Sequence, residues 1–340
     1  MKALVIPEHG PPEVLRVEER PDPQPGAGQV RVRVKAAGIN FADLMARQGL
    51  YPDAPKLPAV VGYEFAGDVE SVGEGVQDVQ PGQRVLGGCR FGGYSEIVAT
   101  EADNIVPLPG DWSYEEGAAF PVNYMTAYAG LVRYGTLYPG ERVLIHAAAG
   151  GVGIAATQIA RLKEAGEIYG TASPGKHEAI RGFGVDHPID YTSQDFAKEV
   201  RRIAGRKDPI DIVMDAVGGG SFRKSYGLLR AGGRLVAYGA SSVTPGEKRD
   251  IKAIAKMIAT TPVFHPMQMM PASKAVIGLN MLTLWDDKGS ADEFLEPLRK
   301  WMESGDIRPV VAEAFPLDRG ADAHRFLQER KNIGKVVLTM

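Results

Sequence analysis

The alternation of apolar and charged positions near the start of the chain predicts β-strands with one face in solvent. In the run 30–35, three valines alternate with three basic residues, and a strand sends successive side chains to opposite faces. Two more β-branched or apolar runs, at 65–72 and 94–98, are separated by turns rich in proline and glycine. Residues 1–122 are therefore predicted to form a β-rich region.

From residue 139 onward, strand-like runs alternate with helical ones. Apolar strands are predicted at 142–146, 167–172, 211–217, 234–239 and 335–339, with the first helix at 154–162. This spacing is typical of βαβ units, which build a parallel sheet with helices on both faces. The fold class is therefore predicted to be α/β.

The cysteine count, the net charge and the lengths of the apolar runs exclude several classes of protein. The 340 residues include a single cysteine, Cys89, and carry a net charge of -3. One cysteine excludes an internal disulfide and any zinc site built from several cysteines, and the charge offers no basic excess for a nucleic acid. No run is long and apolar enough for a membrane span, and the N-terminus does not have the pattern of a signal peptide. We expect a cytoplasmic protein with no nucleic-acid partner and no integral membrane association.

A glycine-rich turn follows the strand at 142–146. Ala149, Gly150, Gly151, Val152 and Gly153 lead into the predicted helix, as in the dinucleotide-binding fingerprint, with Ala148 in place of the first glycine. Glycines let the backbone approach a pyrophosphate, and a helix N-terminus offers unpaired N–H groups. The pattern predicts a nicotinamide dinucleotide site; the alternative is a tight turn before a helix.

The end of the next strand favours NADP over NAD. An NAD site places Asp or Glu about 20 residues beyond the glycine loop to bind the ribose 2′-hydroxyl, but no carboxylate lies between Ile168 and His177. Ser173 offers a hydrogen bond, and Lys176 offers a positive charge suited to a 2′-phosphate. Taken in isolation, Lys176 is more typical of a solvated helix residue, and its position at this strand end is what favours the phosphate contact.

Motifs along the whole chain resemble the medium-chain dehydrogenase/reductase superfamily. They are the runs 62–67 and 82–85, the glycine loop, 211–217 and 232–234. Within the superfamily, 37–43 and 49–51 are similar to the zinc-free quinone oxidoreductases, and 122–124, 176–179, 187–191 and 331–336 are similar to the vesicle amine transport protein branch. The resemblance implies a Rossmann doubly wound parallel-sheet domain at 123–286, which binds NADP. It also implies a β-rich GroES-like barrel domain at 1–122 and 287–340, which carries the substrate site.

The resemblance also locates the positions where zinc-dependent relatives hold their catalytic metal. These positions carry Asn40, Tyr63 and Val122, which do not form a zinc ligand set. The relatives' proton-relay Ser or Thr corresponds to Ala42. Glu64, which follows Tyr63, is expected to stabilise the fold. We therefore predict that the protein uses no metal.

Hydride transfer without a metal favours quinones and α,β-unsaturated carbonyls, because the product is a delocalised hydroquinone anion or enolate. The resemblance implies Asn40 and Tyr51 as catalytic hydrogen-bond donors to the substrate oxygen, with Tyr51 alternatively a wall of the pocket. Tyr63 is expected to be a steric replacement for the metal ligand. Further cofactor positions implied by the resemblance are Thr126 and Asn332 near the nicotinamide, Tyr191 beside the adenine ribose phosphate, and Val217 at the end of a strand. We predict an NADPH-dependent quinone oxidoreductase or enone reductase.

Two further expectations concern partners and an alternative function. The apolar run 275–281 is of the kind that extends a sheet across two chains, which predicts a homodimer. The methionine-rich stretch 257–281 is either core filling or a wall of an adaptable apolar site. It also motivates an alternative function, a cofactor-binding trafficking or regulatory protein of the vesicle amine transport type with little catalysis. A secondary alcohol dehydrogenase is disfavoured by the missing zinc ligands.

Overall fold

The computed structural model describes residues 1–244 and 246–340, and their contacts divide the chain into two compact units. Unit 1 consists of Met1–Met125, Gly246–Arg249 and Met281–Met340. Unit 2 consists of residues 126–244 and Asp250–Asn280. The N-terminal and C-terminal segments therefore share one unit, whereas the assignment of a substrate domain and a cofactor domain remains a prediction.

Unit 1 is built mainly from strands. Its strands are β1 (Lys2–Val5), β2 (Arg16–Glu19), β3 (Gln29–Ile39), β4 (Glu64–Val72), β5 (Arg84–Gly88), β6 (Ile97–Glu101), β7 (Ile105–Pro107), β14 (Val311–Pro316) and β15 (Lys335–Thr339). Its helices are α1 (Phe41–Arg47), α2 (Tyr114–Ala118), α3 (Pro121–Tyr128, which runs on into unit 2), α10 (Met281–Lys288), α11 (Asp292–Glu303) and α12 (Gly320–Gln328).

A seven-stranded sheet organises unit 1, in the order β14-β15-β3-β4-β5-β7, with β6 also paired to β3. The predicted alternation in β3 is confirmed: Val30, Val32 and Val34 are buried, while Arg31 and Arg33 both reach Glu70 on β4. The strand predicted at 94–98 is wrong in its bounds. Tyr94 lies in a loop, where its N–H bonds the carbonyl of Val61, and the strand itself is Ile97–Glu101.

Unit 2 alternates strands and helices. Its strands are β8 (Arg142–Ile145), β9 (Glu167–Ala172), β10 (His187–Asp190), β11 (Ile210–Asp215), β12 (Leu229–Ala237) and β13 (Ala275–Gly278). Its helices are α4 (Gly151–Leu162), α5 (His177–Gly182), α6 (Phe196–Ala204), α7 (Gly220–Leu228), α8 (Ile251–Thr260) and α9 (Pro266–Met269).

The six strands of unit 2 are all parallel, in the order β10-β9-β8-β11-β12-β13. The chain therefore builds outward from β8 to one edge and then returns to β11 to build the other half. This is the doubly wound order, and its switch point lies between β8 and β11. The predicted α/β fold class with a second, β-rich sheet is confirmed.

Predicted boundaries in unit 2 differ from the structure at several strands and at the first helix. The strand predicted at 142–146 ends at Ile145, and the strand predicted at 234–239 is Leu229–Ala237. The strand predicted at 211–217 ends at Asp215, because the side chain of Asp215 accepts the N–H of Val217 and turns the chain. The run predicted as a strand at 275–281 forms a strand only over Ala275–Gly278, and a helix begins at Met281. The first helix begins at Gly151 rather than at 154, so its N-terminus falls inside the glycine loop.

No helix within 1–244 and 246–340 combines the length and the apolar character needed to cross a bilayer.

Candidate active site

The carboxyl ends of four adjacent strands in unit 2 gather most of the predicted cofactor residues. The glycine loop follows β8, Ser173 follows β9, Tyr191 follows β10 and Val217 lies just beyond β11. Lys176 closes a short 3-10 turn that starts directly after Ser173. Because the strands are parallel, all these positions lie at one edge of the sheet. Ligands of open α/β sheets bind at this edge, beside the switch point.

The glycine loop brings the start of α4 very close to the end of β8. Gly150 is the residue before the helix, and no described side chain caps it, so the first N–H groups of α4 can bind an anion. A β-carbon at Gly153 would lie 2.7 Å from the Cα of Ala148 and nearer still to the carbonyl oxygen of Ala147. The tight turn thus requires glycine, and the uncapped helix start fits the pyrophosphate of a dinucleotide.

A buried aspartate that sequence reasoning missed holds the turn after β11. Asp215 accepts hydrogen bonds from the N–H of Val217 at 2.8 Å and from the hydroxyls of Ser221 at 2.7 Å and Ser225 at 2.8 Å. Its side chain is fully buried. The position of Val217 at the sheet edge is therefore fixed by its own neighbours in sequence.

His146 links this aspartate to the glycine loop. Its Nε2 lies 3.0 Å from the Ser225 hydroxyl, and its Nδ1 lies 3.1 Å from the Thr171 hydroxyl. The same Thr171 oxygen accepts the N–H of Ala147 at 3.2 Å. Burial lowers the pKa of His146, opposed by the negative charge of Asp215. The sequence signal for this network was a polar residue at the carboxyl end of an apolar strand: His146 directly follows β8, and Asp215 is the last residue of β11.

Two predicted cofactor residues differ in exposure, Tyr191 at the adenosine end and Thr126 near the nicotinamide. Tyr191 is exposed, whereas Thr126, on α3, is buried. Asp190, the carboxylate that ends β10, accepts hydrogen bonds from the hydroxyls of Ser193 and Thr192, which lower its pKa. Asp190 is therefore already satisfied by its own loop.

A buried ion pair dominates the predicted substrate end, in unit 1. Lys335 contacts Glu64, and both side chains are almost completely buried. Asn40 bridges the two: its Oδ1 accepts from the Lys335 ammonium at 2.6 Å, and its Nδ2 donates to Glu64 at 2.8 Å. The second Glu64 oxygen accepts the N–H of Val122 at 2.7 Å. Glu64 thus joins two of the three positions at which zinc-dependent relatives hold metal ligands.

Tyr51 and Tyr63 form an aromatic group with Phe91. The rings of Tyr51 and Tyr63 meet edge to face, with centroids 6.5 Å apart, and Tyr63 lies 5.2 Å from the ring of Phe91. Burial, followed by the charges of Asp53 and Asp43, raises the pKa of Tyr51 to about 12. Tyr51 therefore keeps its proton at neutral pH and can donate it in a hydrogen bond.

Asp43 and Asn332 complete the polar groups of this region of unit 1. Asp43 is fully buried and accepts from the Tyr94 hydroxyl at 2.7 Å and from the N–H of Asn40 at 2.7 Å. Burial raises its pKa to about 6. Asn332 is buried just before β15, where its side chain donates to the carbonyl of Gly334 at 2.7 Å. The N–H bond from Asn40 fixes the start of α1, while Asn332 shapes the turn into β15.

Within the described ranges 1–244 and 246–340, no group of three or more His, Cys, Asp or Glu side chains is arranged to hold a metal ion.

Comparison with known proteins identifies the family. Residues 183–338 match the family described as zinc-binding dehydrogenase, and residues 26–110 match the alcohol dehydrogenase GroES-like domain. The synaptic vesicle membrane protein VAT-1 homolog of Homo sapiens is 40% identical over 340 residues, which cover 99% of this chain and 86% of the relative. The chain belongs to the medium-chain dehydrogenase/reductase superfamily. Its resemblance to the vesicle amine transport protein branch is thereby confirmed.

Solved structures of other proteins share the fold of this superfamily member. The Escherichia coli quinone oxidoreductase complexed with NADPH matches with a TM-score of 0.86 and 31% identity, covering 100% of both chains. The CurK enoyl reductase matches with a TM-score of 0.86 and 29% identity, covering 100% of this chain and 99% of that one. One neighbour is named as a quinone oxidoreductase and the other as an enoyl reductase, which agrees with the oxidoreductase class predicted from the sequence.

Proposed function

We propose that this oxidoreductase is independent of zinc and transfers hydride from NADPH to quinones or α,β-unsaturated carbonyls. The observation that carries the proposal is the buried cluster of Glu64, Asn40 and Lys335. At two of the metal-ligand positions of zinc-dependent relatives, this chain has Asn40 and Val122, and both bond Glu64. The ion pair of Lys335 and Glu64 therefore satisfies the side chain of Asn40 and the backbone N–H of Val122. Acceptors that need no Lewis acid suit such a site.

Bound NADPH would supply the hydride, and the chain would supply hydrogen bonds for the oxygen that becomes negative. Asn40 is held by its bonds to Lys335 and Glu64, and the second N–H of its amide is the one we assign to the substrate oxygen. Tyr51, whose pKa of about 12 keeps it protonated, is the second donor. Preorganised donors of this kind stabilise a developing enolate or hydroquinone anion without first having to reorient.

The choice of NADPH rests on the end of β9. Ser173 and Lys176 follow this strand, where an NAD site would carry a carboxylate. The Escherichia coli neighbour was solved with NADPH. We assign Ala149, Gly150, Gly151, Val152 and Gly153 to the pyrophosphate, Tyr191 to the adenosine end, and Thr126, Val217 and Asn332 to the nicotinamide half.

The direct test is a screen of NADPH oxidation with quinones and enones, together with cofactor affinities. Lys176→Ala is expected to reduce the preference for NADPH over NADH about ten-fold, because a charge-assisted contact to the 2′-phosphate is lost. Lys198→Ala, which removes an exposed lysine elsewhere in unit 2, is the control and should leave the ratio unchanged. Equal affinities of the wild type for the two cofactors would contradict the assignment of Ser173 and Lys176.

We also propose a cytoplasmic homodimer that pairs through β13. This strand is at one edge of the parallel sheet, where it pairs on one side with β12. Its four residues are fewer than the sequence run had suggested, so the shared ladder would be short. Light scattering at micromolar concentration measures the mass, and a monomer would refute the dimer.

One observation favours a second candidate function, the cofactor-binding trafficking or regulatory protein. Large apolar side chains are exposed at 251–270 in the described part of unit 2, namely Ile251, Ile258, Val263, Met267 and Met270. Such a surface is typical of a contact with another molecule. Binding of NADPH with no oxidation across the acceptor panel would favour this candidate over the reductase.

A further inference from the structure

Tyr63 carries a buried hydroxyl that has no hydrogen-bond partner among residues 1–244 and 246–340. The residue is only 7% exposed. A buried hydroxyl without a partner is destabilising, and phenylalanine would fill the same space without that cost. Packing alone therefore does not explain a tyrosine here.

The surroundings of Tyr63 point to Tyr51 as the group on which this hydroxyl acts. The ring of Tyr63 is held on one side by Phe91, and its backbone carbonyl accepts the N–H of Cys89 at 2.9 Å. Its other aromatic neighbour is Tyr51, which is only partly buried. The two rings are nearly perpendicular, at 77°. Tyr51 is thus a polar neighbour that also faces solvent, whereas the Tyr63 oxygen does not.

The electrostatics of the pair give the direction of the interaction. Burial raises the pKa of Tyr51, and the neighbouring Tyr63 side chain acts in the opposite direction and lowers it. Burial also raises the pKa of Tyr63, and raises it further than that of Tyr51. Of the two phenols, Tyr63 is therefore the one that stays protonated to higher pH. No hydrogen bond joins the two hydroxyls in the described residues, and catalytic hydrogen bonds often form fully only when substrate binds.

We propose that Tyr63 is a positioning residue whose hydroxyl donates to the phenol oxygen of Tyr51 during reduction. The inference rests on the proposed reductase function. A phenol that accepts a hydrogen bond is a stronger donor, because hydrogen bonds in a chain polarise one another. Tyr63 would therefore make Tyr51 the more effective acid.

The proton and electron balance of the step is complete with an enone acceptor. Bound NADPH would supply hydride to the β-carbon and become NADP⁺, and the electron pair of the C=C bond would shift to leave an enolate. The enolate takes the Tyr51 proton, and Tyr63 stabilises the phenolate that remains. Water then returns a proton to Tyr51. A quinone acceptor gives the hydroquinone anion in place of the enolate.

Kinetics of Tyr63→Phe, Tyr51→Phe and the double variant test the proposal. Tyr63→Phe is expected to lower kcat about ten-fold with KM within about two-fold, since general acids contribute 10²–10⁴-fold and Tyr63 only assists one. In the Tyr51→Phe background, Tyr63→Phe should have no further effect. Tyr114→Phe is the matched control: it removes a hydroxyl bonded to Asp68 elsewhere in unit 1 and should leave kcat unchanged. An unchanged kcat in Tyr63→Phe, or effects that multiply in the double variant, would overturn the proposal.

A second measurement does not depend on turnover. In protein labelled with 3-fluorotyrosine, the fluorine resonance of Tyr51 is assigned by its loss in Tyr51→Phe. Fluorination lowers phenol pKa values, so the titration can be followed in the folded protein. The Tyr51 resonance should titrate at higher pH in Tyr63→Phe than in the wild type, and at the same pH in Tyr114→Phe. An unshifted titration in Tyr63→Phe would refute the contact.

The kinetics and the fluorine titration together distinguish a failure of the Tyr63 proposal from a failure of the proposed reductase function. If the wild type reduces no acceptor but the titration shifts as expected, the reductase proposal fails while the Tyr63–Tyr51 contact stands. If the wild type reduces enones and the titration does not shift, the positioning role fails while the reductase proposal stands.

Discussion

The buried charged groups of the two units are held in contrasting ways. In unit 2, Asp215 is satisfied by Val217, Ser221 and Ser225, all within ten residues along the chain. In unit 1, Glu64 is satisfied by Asn40, 24 residues before it, by Val122, 58 residues after it, and by Lys335 near the C-terminus. One carboxylate shapes a turn, and the other joins three distant segments of the chain.

The two regions thus differ in whether backbone conformation or contacts between charged side chains form the proposed site. The proposed cofactor edge of unit 2 depends on backbone conformation: glycines, a helix start and the ends of parallel strands. The proposed substrate end of unit 1 depends on charged side chains whose partners exist only once the fold has formed. Substitutions should therefore affect unit 1 through uncompensated charge and unit 2 through steric displacement of the backbone.

The largest effect is expected from Glu64→Gln. This change keeps the shape of the side chain but leaves the Lys335 ammonium buried without its counter-charge, which costs about 3–5 kcal/mol of unfolding free energy. Urea unfolding gives the difference. Glu70→Gln, which breaks a partly exposed pair with Arg31 and Arg33, is the control and should cost less than about 1 kcal/mol.

A double variant sharpens this result. The double variant Glu64→Gln/Lys335→Met also removes the buried ammonium that Glu64→Gln leaves unpaired. It should therefore recover much of the unfolding free energy lost in Glu64→Gln. If Glu64→Gln is no more destabilising than Glu70→Gln, long-range ionic contacts do not hold unit 1 together, and the contrast with unit 2 fails.

The next effect is expected from Gly153→Ala, in the glycine loop. The added β-carbon would lie 2.7 Å from the Cα of Ala148, so the start of α4 must shift. We expect a loss of as much as about 3 kcal/mol in unfolding free energy, with NADPH affinity reduced at least ten-fold, about 1.4 kcal/mol. Fluorescence titration with NADPH measures the affinity. Gly182→Ala, a helical position where an added β-carbon meets nothing within 4 Å, should leave the NADPH affinity unchanged and lose no unfolding free energy.

The smallest effect concerns His324 and appears only as a pH dependence. Burial, with the nearby charge of Arg47, lowers the pKa of His324 to about 3. The unfolded chain therefore binds a proton that the folded chain does not, so this group removes stability as pH falls below about 6.5. Asp43 acts oppositely: burial raises its pKa to about 6, so the folded chain binds its proton first and gains stability as pH falls.

The variant His324→Phe isolates the first of these contributions. Relative to the wild type, it should gain about 2 kcal/mol of unfolding free energy between about pH 6.5 and about pH 5, measured by urea unfolding at each pH. A constant difference between His324→Phe and the wild type would mean that His324 does not titrate as a buried group.

Prediction from sequence was accurate for features that depend on a short segment of the chain. The strands at 167–172 and 335–339 lie where predicted, and the glycine loop precedes a helix as expected. Prediction was less accurate where a single side chain ends an element, as Asp215 does for β11. It did not find the His146 network or the Lys335–Glu64 pair, because neither set of partners is adjacent in the chain.

The amino-acid sequence by itself determined the fold class, the position of the glycine loop and the absence of a multi-cysteine zinc site. These depend on periodicity, on backbone-permissive glycines and on residue identity, all of which are properties of short segments. Only the tertiary structure decided that Glu64 is buried against Lys335, that Asn40 is oriented by both, and that the Tyr63 hydroxyl has no partner in the described part of the chain. Such facts depend on which distant side chains meet in a medium without water, where an unpaired polar group is costly and a paired one is fixed in place.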